Sequence, residues 1–190
     1  MSPERSSSAT LVEASPFDGP DCPSRPEVGS AARVLHVDYL RSPHQRIRQW
    51  SRRADEPAAL GIVRVGISDD EAAAVERSVD GDERAVTVRA VERPQNLTAL
   101  GLALVDLLES WAVPGDTHVC VHSLTAMLQY VGADAVGAFV REVTRQCARH
   151  GAAVHFHVDP TAHRRGTVER LRGLVEDARP GEEASSAGVA

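Results

Sequence analysis

Lysine is missing from the chain. All 21 basic residues among its 190 are arginine, which excludes a phosphate-cradling lysine of a Walker A loop, a Schiff-base lysine and a lysine general base. Aromatic residues make up only 4% against 42% apolar residues in all, so a core large enough for one domain must be aliphatic. Cysteine is scarce as well: Cys22, Cys120 and Cys147 are odd in number and lack CxxC spacing, which argues against a disulfide framework or a zinc knuckle and fits a reducing cytoplasm. Long apolar runs are also lacking. The longest apolar-rich stretch, Leu97 to Val113, is interrupted by Asp106 and Glu109 and falls short of the roughly 20 residues of a membrane span. With no charged-then-apolar leader at the start, a cytoplasmic protein without membrane attachment is expected.

What is present is acidic and patterned. The 27 acids outnumber the arginines for a net charge of -6, and with an alanine- and valine-rich background this suggests a GC-rich, salt-adapted genome. Residues 1–8 and 179–190 have little to bury and are expected to be disordered tails, leaving 9–178 as a single domain. Within it, strands are predicted over 10–14, 33–38, 61–67, 84–91, 117–122 and 152–158, and helices over 43–54, 97–112, 135–150 and 162–177. Ser42, Asn96 and Thr161 stand where N-caps belong, Gln45 completes a capping box with Ser42, and Gly151 suits a helix C-terminus. Leu97, Leu100, Leu104, Leu107, Leu108 and Trp111 recur at helical spacing and form one apolar face. Strands alternating with helices predict an α/β fold, a three-layer sandwich with a mostly parallel central sheet. The first crossover departs from this rhythm, because SPFDGPDCPSRPEVGSAA, 15–32, carries four prolines and no apolar period that would sustain a helix.

The order of elements, HVCVHSLTAMLQYVG from His118 and GAAVHFHVDPTAHRRGTVERL from Gly151 resemble a haloarchaeal family of uncharacterised proteins related to the RecA/KaiC ATPase core. The resemblance spans most of residues 9–177 and implies a RecA/KaiC-like fold. In active relatives the first strand feeds a GxxxxGK[ST] loop, a glutamate after the second strand activates water, and a strand-end aspartate supports magnesium. This chain departs at all three places. SPFDGPDC replaces the loop, Leu40 or Arg41 stands at the glutamate position, and His122, followed by Ser123, takes the place of the aspartate. Without the lysine that clamps the transferring phosphate, the electrostatic part of catalysis is lost. The expectation is a non-catalytic regulatory or signalling module with no cofactor, acting through a protein partner or homo-oligomer; an alternative is a pseudo-ATPase that still binds nucleotide weakly as a switch.

Histidine forms a second constellation. His36 and Asp38, then His118, Cys120 and His122, then His155, His157 and Asp159 alternate along three predicted strands, so each set points to one side of the sheet. A parallel strand buried on both faces normally reads as a continuous apolar run. His36, Asp38, His122, His155, His157, Asp159 and His163 are therefore candidate ligands for zinc or a similar ion, in a metal-binding protein or metal-dependent enzyme; the alternatives are hydrogen-bonded histidines or a partner-facing surface.

Two further readings concern single segments. RSPHQRIRQWSRR, residues 41–53, has five arginines and no acid. Arg41, Arg46, Arg48, Trp50, Arg52 and Arg53 could form an interaction patch for an acidic protein surface or, less favoured in so acidic a chain, nucleic acid; as a plain amphipathic helix it would place Ile47 and Trp50 inward and solvate its arginines. Ser123 lacks the GxSxG setting of an activated nucleophile and is predicted to cap the helix that leaves the strand.

Overall fold

A computed structural model describes residues 8–14, 32–51, 57–79, 85–111 and 116–180. Seven parallel strands form one sheet in the order β4-β3-β2-β5-β6-β1-β7, with β1 Ala9–Glu13, β2 Arg33–Asp38, β3 Ala59–Val65, β4 Ala85–Val91, β5 Thr117–His122, β6 Ala153–Val158 and β7 Asp177–Pro180. Every pairing is parallel, so the expected three-layer α/β sandwich is present with a wholly parallel sheet.

The helices divide between the two faces. On one side α3 (Leu97–Ser110), α4 (Leu124–Met127), α5 (Ala133–Arg149) and α6 (Arg165–Arg172) enclose the larger core. There Leu100, Leu104 and Leu107 meet Leu35, Val37, Val63, Val119 and Phe156. On the other side α1 (Pro43–Ser51) and α2 (Asp69–Ser78) bring Ile47, Trp50, Ala72 and Val75 onto Val34, Leu60, Ile62 and Val88. Residues of β2 alternate between these clusters, as the period of two demands. Each fully buried leucine contributes about 1.5–3 kcal/mol.

Local chemistry starts and stops the elements. Ser42 and Gln45 exchange backbone bonds of 2.8 and 3.3 Å in the predicted capping box. The Asn96 side chain accepts from Ala99 N at 3.0 Å, and Gly151 takes φ +65° beyond α5. Ser123 caps α4 by accepting from Ala126 N at 3.1 Å, as predicted for the strand exit.

Several boundaries need correction. The predicted helix over 162–177 is confined to Arg165–Arg172, and the chain then returns to the sheet as β7. Thr161 is not the cap; Asp159 caps a short 3₁₀ turn at Pro160–Ala162. β7 reaches two residues into the predicted C-terminal tail, and Ser8 already accepts from Val154 N through its carbonyl. The helix α2, absent from the sequence reading, opens with a Ser68–Glu71 capping box. The proline-rich segment at 15–31, the last part of the helix predicted over 43–54, and the tails at 1–7 and 181–190 lie outside the described residues.

Candidate functional site

The three alternating sets share one face. In register, Asp38 lies opposite His122 and His36 opposite Cys120, and Cys120 lies opposite His155. Because α1 and α2 cover β2 to β4 on this side, the polar rows run out from beneath α1 across β5 and β6. Strand order turns here: β2 leads outward to β3 and β5 outward to β6, so the carboxyl ends of β2 and β5 flank the switch point where ligand crevices form in α/β sheets.

Asp38 is fully committed. It is completely buried, its Oδ1 accepts from Leu40 N at 3.2 Å and Arg41 N at 2.9 Å, and its Oδ2 accepts from Arg46 Nε at 2.5 Å. The carboxylate therefore orders the β2–α1 turn and neutralises a buried guanidinium, which makes it a poor metal ligand. Arg46 is equally buried, and Trp50 is 4% exposed. The interaction patch drawn from sequence is thus corrected: neither residue faces solvent, because one pairs with Asp38 and the other packs on the sheet. Arg48 is exposed and Arg41 half-buried, while Arg52 and Arg53 lie outside the described residues.

Trp50 Nε1 donates to His36 Nε2 at 2.9 Å. A neutral imidazole that accepts at one nitrogen carries its proton on the other, so Nδ1 of His36 is the protonated one. The His36 ring lies 5.6 Å from that of His122, which stacks on His157 with centroids 4.0 Å apart. Although His122 keeps some exposed surface, its Nε2 is shielded from solvent and has no hydrogen-bond partner among the described residues. Burial holds its pKa well below that of a free imidazole, reinforced by the neighbouring His157 and by Arg46, so His122 is neutral near pH 7.

Not all predicted ligands converge. One ligand atom each from His36, Cys120 and His122 lie within 4.8 Å of one another. His155 and His157 are buried beside them on the same face. Asp159 and His163 serve the exit of β6 instead: Asp159 Oδ1 accepts from Thr161 N at 2.9 Å, and Thr125 Oγ1 accepts from Asp159 N at 2.8 Å and sits 3.1 Å from His163 Nε2. Sequence reasoning named Cys120 only as a member of the alternation and left it out of the ligand candidates. The signal for it was its place midway between His118 and His122, on the same face.

A second polar feature surrounds the end of β3. Arg64 Nη1 donates to the carbonyls of Asp38 at 3.1 Å and Tyr39 at 2.9 Å, and also to that of Val65, tying together the ends of β2 and β3. Beside it Tyr39 stacks on Tyr130 at 6.2 Å, and Leu40 and Tyr130 are 50% and 55% exposed. A cleft of about 320 Å³ between α5 and α6 is lined by Arg141, Thr167 and Arg170, and Arg170 is paired with Asp134 at 2.5 Å.

Residues 24–178 match the model of a family of unknown function. No curated protein matches the chain.

Proposed function

The chain belongs to that family of unknown function, DUF7504, and we propose that it is a RecA/KaiC-like core that has lost nucleotide chemistry and works as a regulatory or signalling interaction module. One observation carries the reading. The strand ends that the resemblance assigns to water activation and magnesium binding are neighbours, with Asp38 opposite His122, yet they present a neutral imidazole and a carboxylate already held by Arg46. Magnesium needs oxygen donors, and a carboxylate buried in an ion pair is withdrawn from it.

The interaction half of the proposal draws on Leu40 and Tyr130. Two large apolar side chains at least half exposed at the crevice end are the kind of surface that protein partners cover. The partner is then a protein contacting this end, and the module acts by occupying it.

The nucleotide half is tested by thermal shift and phosphate release with millimolar ATP and magnesium. The expected result is no rise in melting temperature and no release above a protein-free blank; a ligand at 100 times its Kd would stabilise by about 2.7 kcal/mol and be plainly visible. Magnesium-dependent stabilisation would sink the proposal. For the partner half, a photo-cross-linker at position 130 should trap a protein that, once purified, binds the wild type and loses binding to Tyr130→Asp.

A further inference from the structure

We propose that His36, Cys120 and His122 form a binding site for one borderline-soft divalent cation, zinc foremost, whose occupation competes with the Trp50–His36 hydrogen bond. This goes beyond the nucleotide reading and stands independently of it.

The donor set comes first. One thiolate and two imidazoles are what zinc selects, whereas magnesium and calcium require oxygen. The three residues sit on two adjacent strands with side chains on the same face, Cys120 opposite His36 and His122 one step further along β5. Their ligand atoms already approach to within 4.8 Å. Bonds of about 2.0–2.3 Å in a tetrahedron place ligands roughly 3.5 Å apart, so side-chain movements of about 1 Å complete the site without moving the sheet. Three protein ligands leave a fourth position for water, the pattern of a site that exchanges ligands.

The second observation is independent of spacing. His122 Nε2 is shielded from solvent and has no hydrogen-bond partner among the described residues. A buried polar atom left so keeps its desolvation cost uncompensated, and a coordinated cation would remove that cost.

Trp50 supplies the coupling. Its indole N–H occupies His36 Nε2 at 2.9 Å, which leaves the proton on Nδ1, so a neutral His36 ring reaches a metal only by releasing the indole. On binding, the Cys120 thiol gives its proton to solvent and the sulfur forms the metal bond, so one proton leaves per ion and affinity rises with pH. Because Trp50 and Arg46 both fasten α1 to β2, metal uptake loosens one of these two attachments and so reports itself to the helix.

The test uses the full chain without a histidine tag. Cobalt(II) titration should give one equivalent with tetrahedral d–d bands and a thiolate charge-transfer band, zinc should displace it, and tryptophan emission should change with the same stoichiometry. Cys120→Ser should abolish the charge-transfer band, and both it and His122→Gln should weaken zinc at least tenfold while circular dichroism confirms folding. Trp50→Phe, which frees His36 Nε2, should tighten zinc by roughly two- to tenfold, the worth of one hydrogen bond, and the double variant of the exposed His44 and His150 to alanine should bind as wild type. Absence of a thiolate band, binding unchanged in Cys120→Ser, or binding lost in the His44/His150 variant would each overturn the site. Unchanged or weaker zinc binding in Trp50→Phe would overturn the competition with the indole.

Discussion

Asp38 and Arg46 show how far one pair can set the character of a site. Both side chains are completely buried, and a buried charge persists only where its partner and hydrogen bonds offset desolvation. Asp38 has such compensation on every side: two backbone N–H groups at Oδ1 and the guanidinium at Oδ2. Arg46 in turn donates through Nη1 to Gln49 at 3.0 Å. Arg46→Leu removes one charge and strands the other, so it should cost about 3–5 kcal/mol in urea unfolding. Asp38→Asn combined with Arg46→Leu should cost less than Arg46→Leu alone, since an asparagine Oδ1 still serves the turn and no net charge is left buried. A loss no greater than that of the exposed Arg48→Leu would refute the account.

At the level of elements, α2 is held at its start by the Ser68–Glu71 box, in which Glu71 N donates to Ser68 Oγ at 3.3 Å and Ser68 N donates to Glu71 Oε2 at 2.8 Å. Ser68→Ala should therefore lose about 1 kcal/mol in thermal or urea unfolding. The bond from the Ser68 backbone lowers the Glu71 pKa from 4.5. A depressed carboxyl stabilises the fold above its unfolded value and loses that contribution as pH falls through the folded one, so the wild-type advantage over Glu71→Gln should fade below about pH 4.5. The box was legible in Ser68-Asp69-Asp70-Glu71, and only the short, alanine-rich helix behind it, with a weak apolar stripe, concealed the element. β7 was hidden for a different reason: Asp177-Ala178-Arg179-Pro180 carries charge and proline, which suit a strand with one open edge but read as the end of a helix running into a tail. That Cys120 and His122 share a face follows from period two alone. That His36 shares it and converges with them does not, because it needs β2 beside β5 in the observed register, and adjacency across a parallel sheet is fixed by packing of distant segments. The commitment of Asp38 to Arg46 was likewise invisible, since helical periodicity places Arg46 beside Ile47 without saying whether it turns to solvent or to the strand.

For the molecule as a whole, the decisive feature is that β1 lies between β6 and β7. The first strand thus pairs on both sides with the last two, Leu11 opposite Phe156 on one edge and Ala178 on the other, so the fold closes only when both ends of the described chain are in place. Such non-local pairing incurs loop-closure entropy before any contact offsets it. β7 then has a distinct task, because without it the buried β1, with Leu11 at 0% and Val12 at 1% exposure, would become an apolar edge strand open to other chains. Ending the chain at Glu176 should remove this cover while leaving Glu176 N bonded to Ala9 O and Arg172 paired with Glu13. Three or four ladder hydrogen bonds at about 1 kcal/mol each predict a fall in melting temperature of roughly 5–15 °C, with concentration-dependent light scattering as exposed edges pair. Hydrogen exchange should locate the damage: the β1 amides that faced β7 lose protection, whereas those of β2 and β5 keep it. Loss of protection spread evenly over the sheet would mean that β7 completes the cooperative fold rather than guarding its edge.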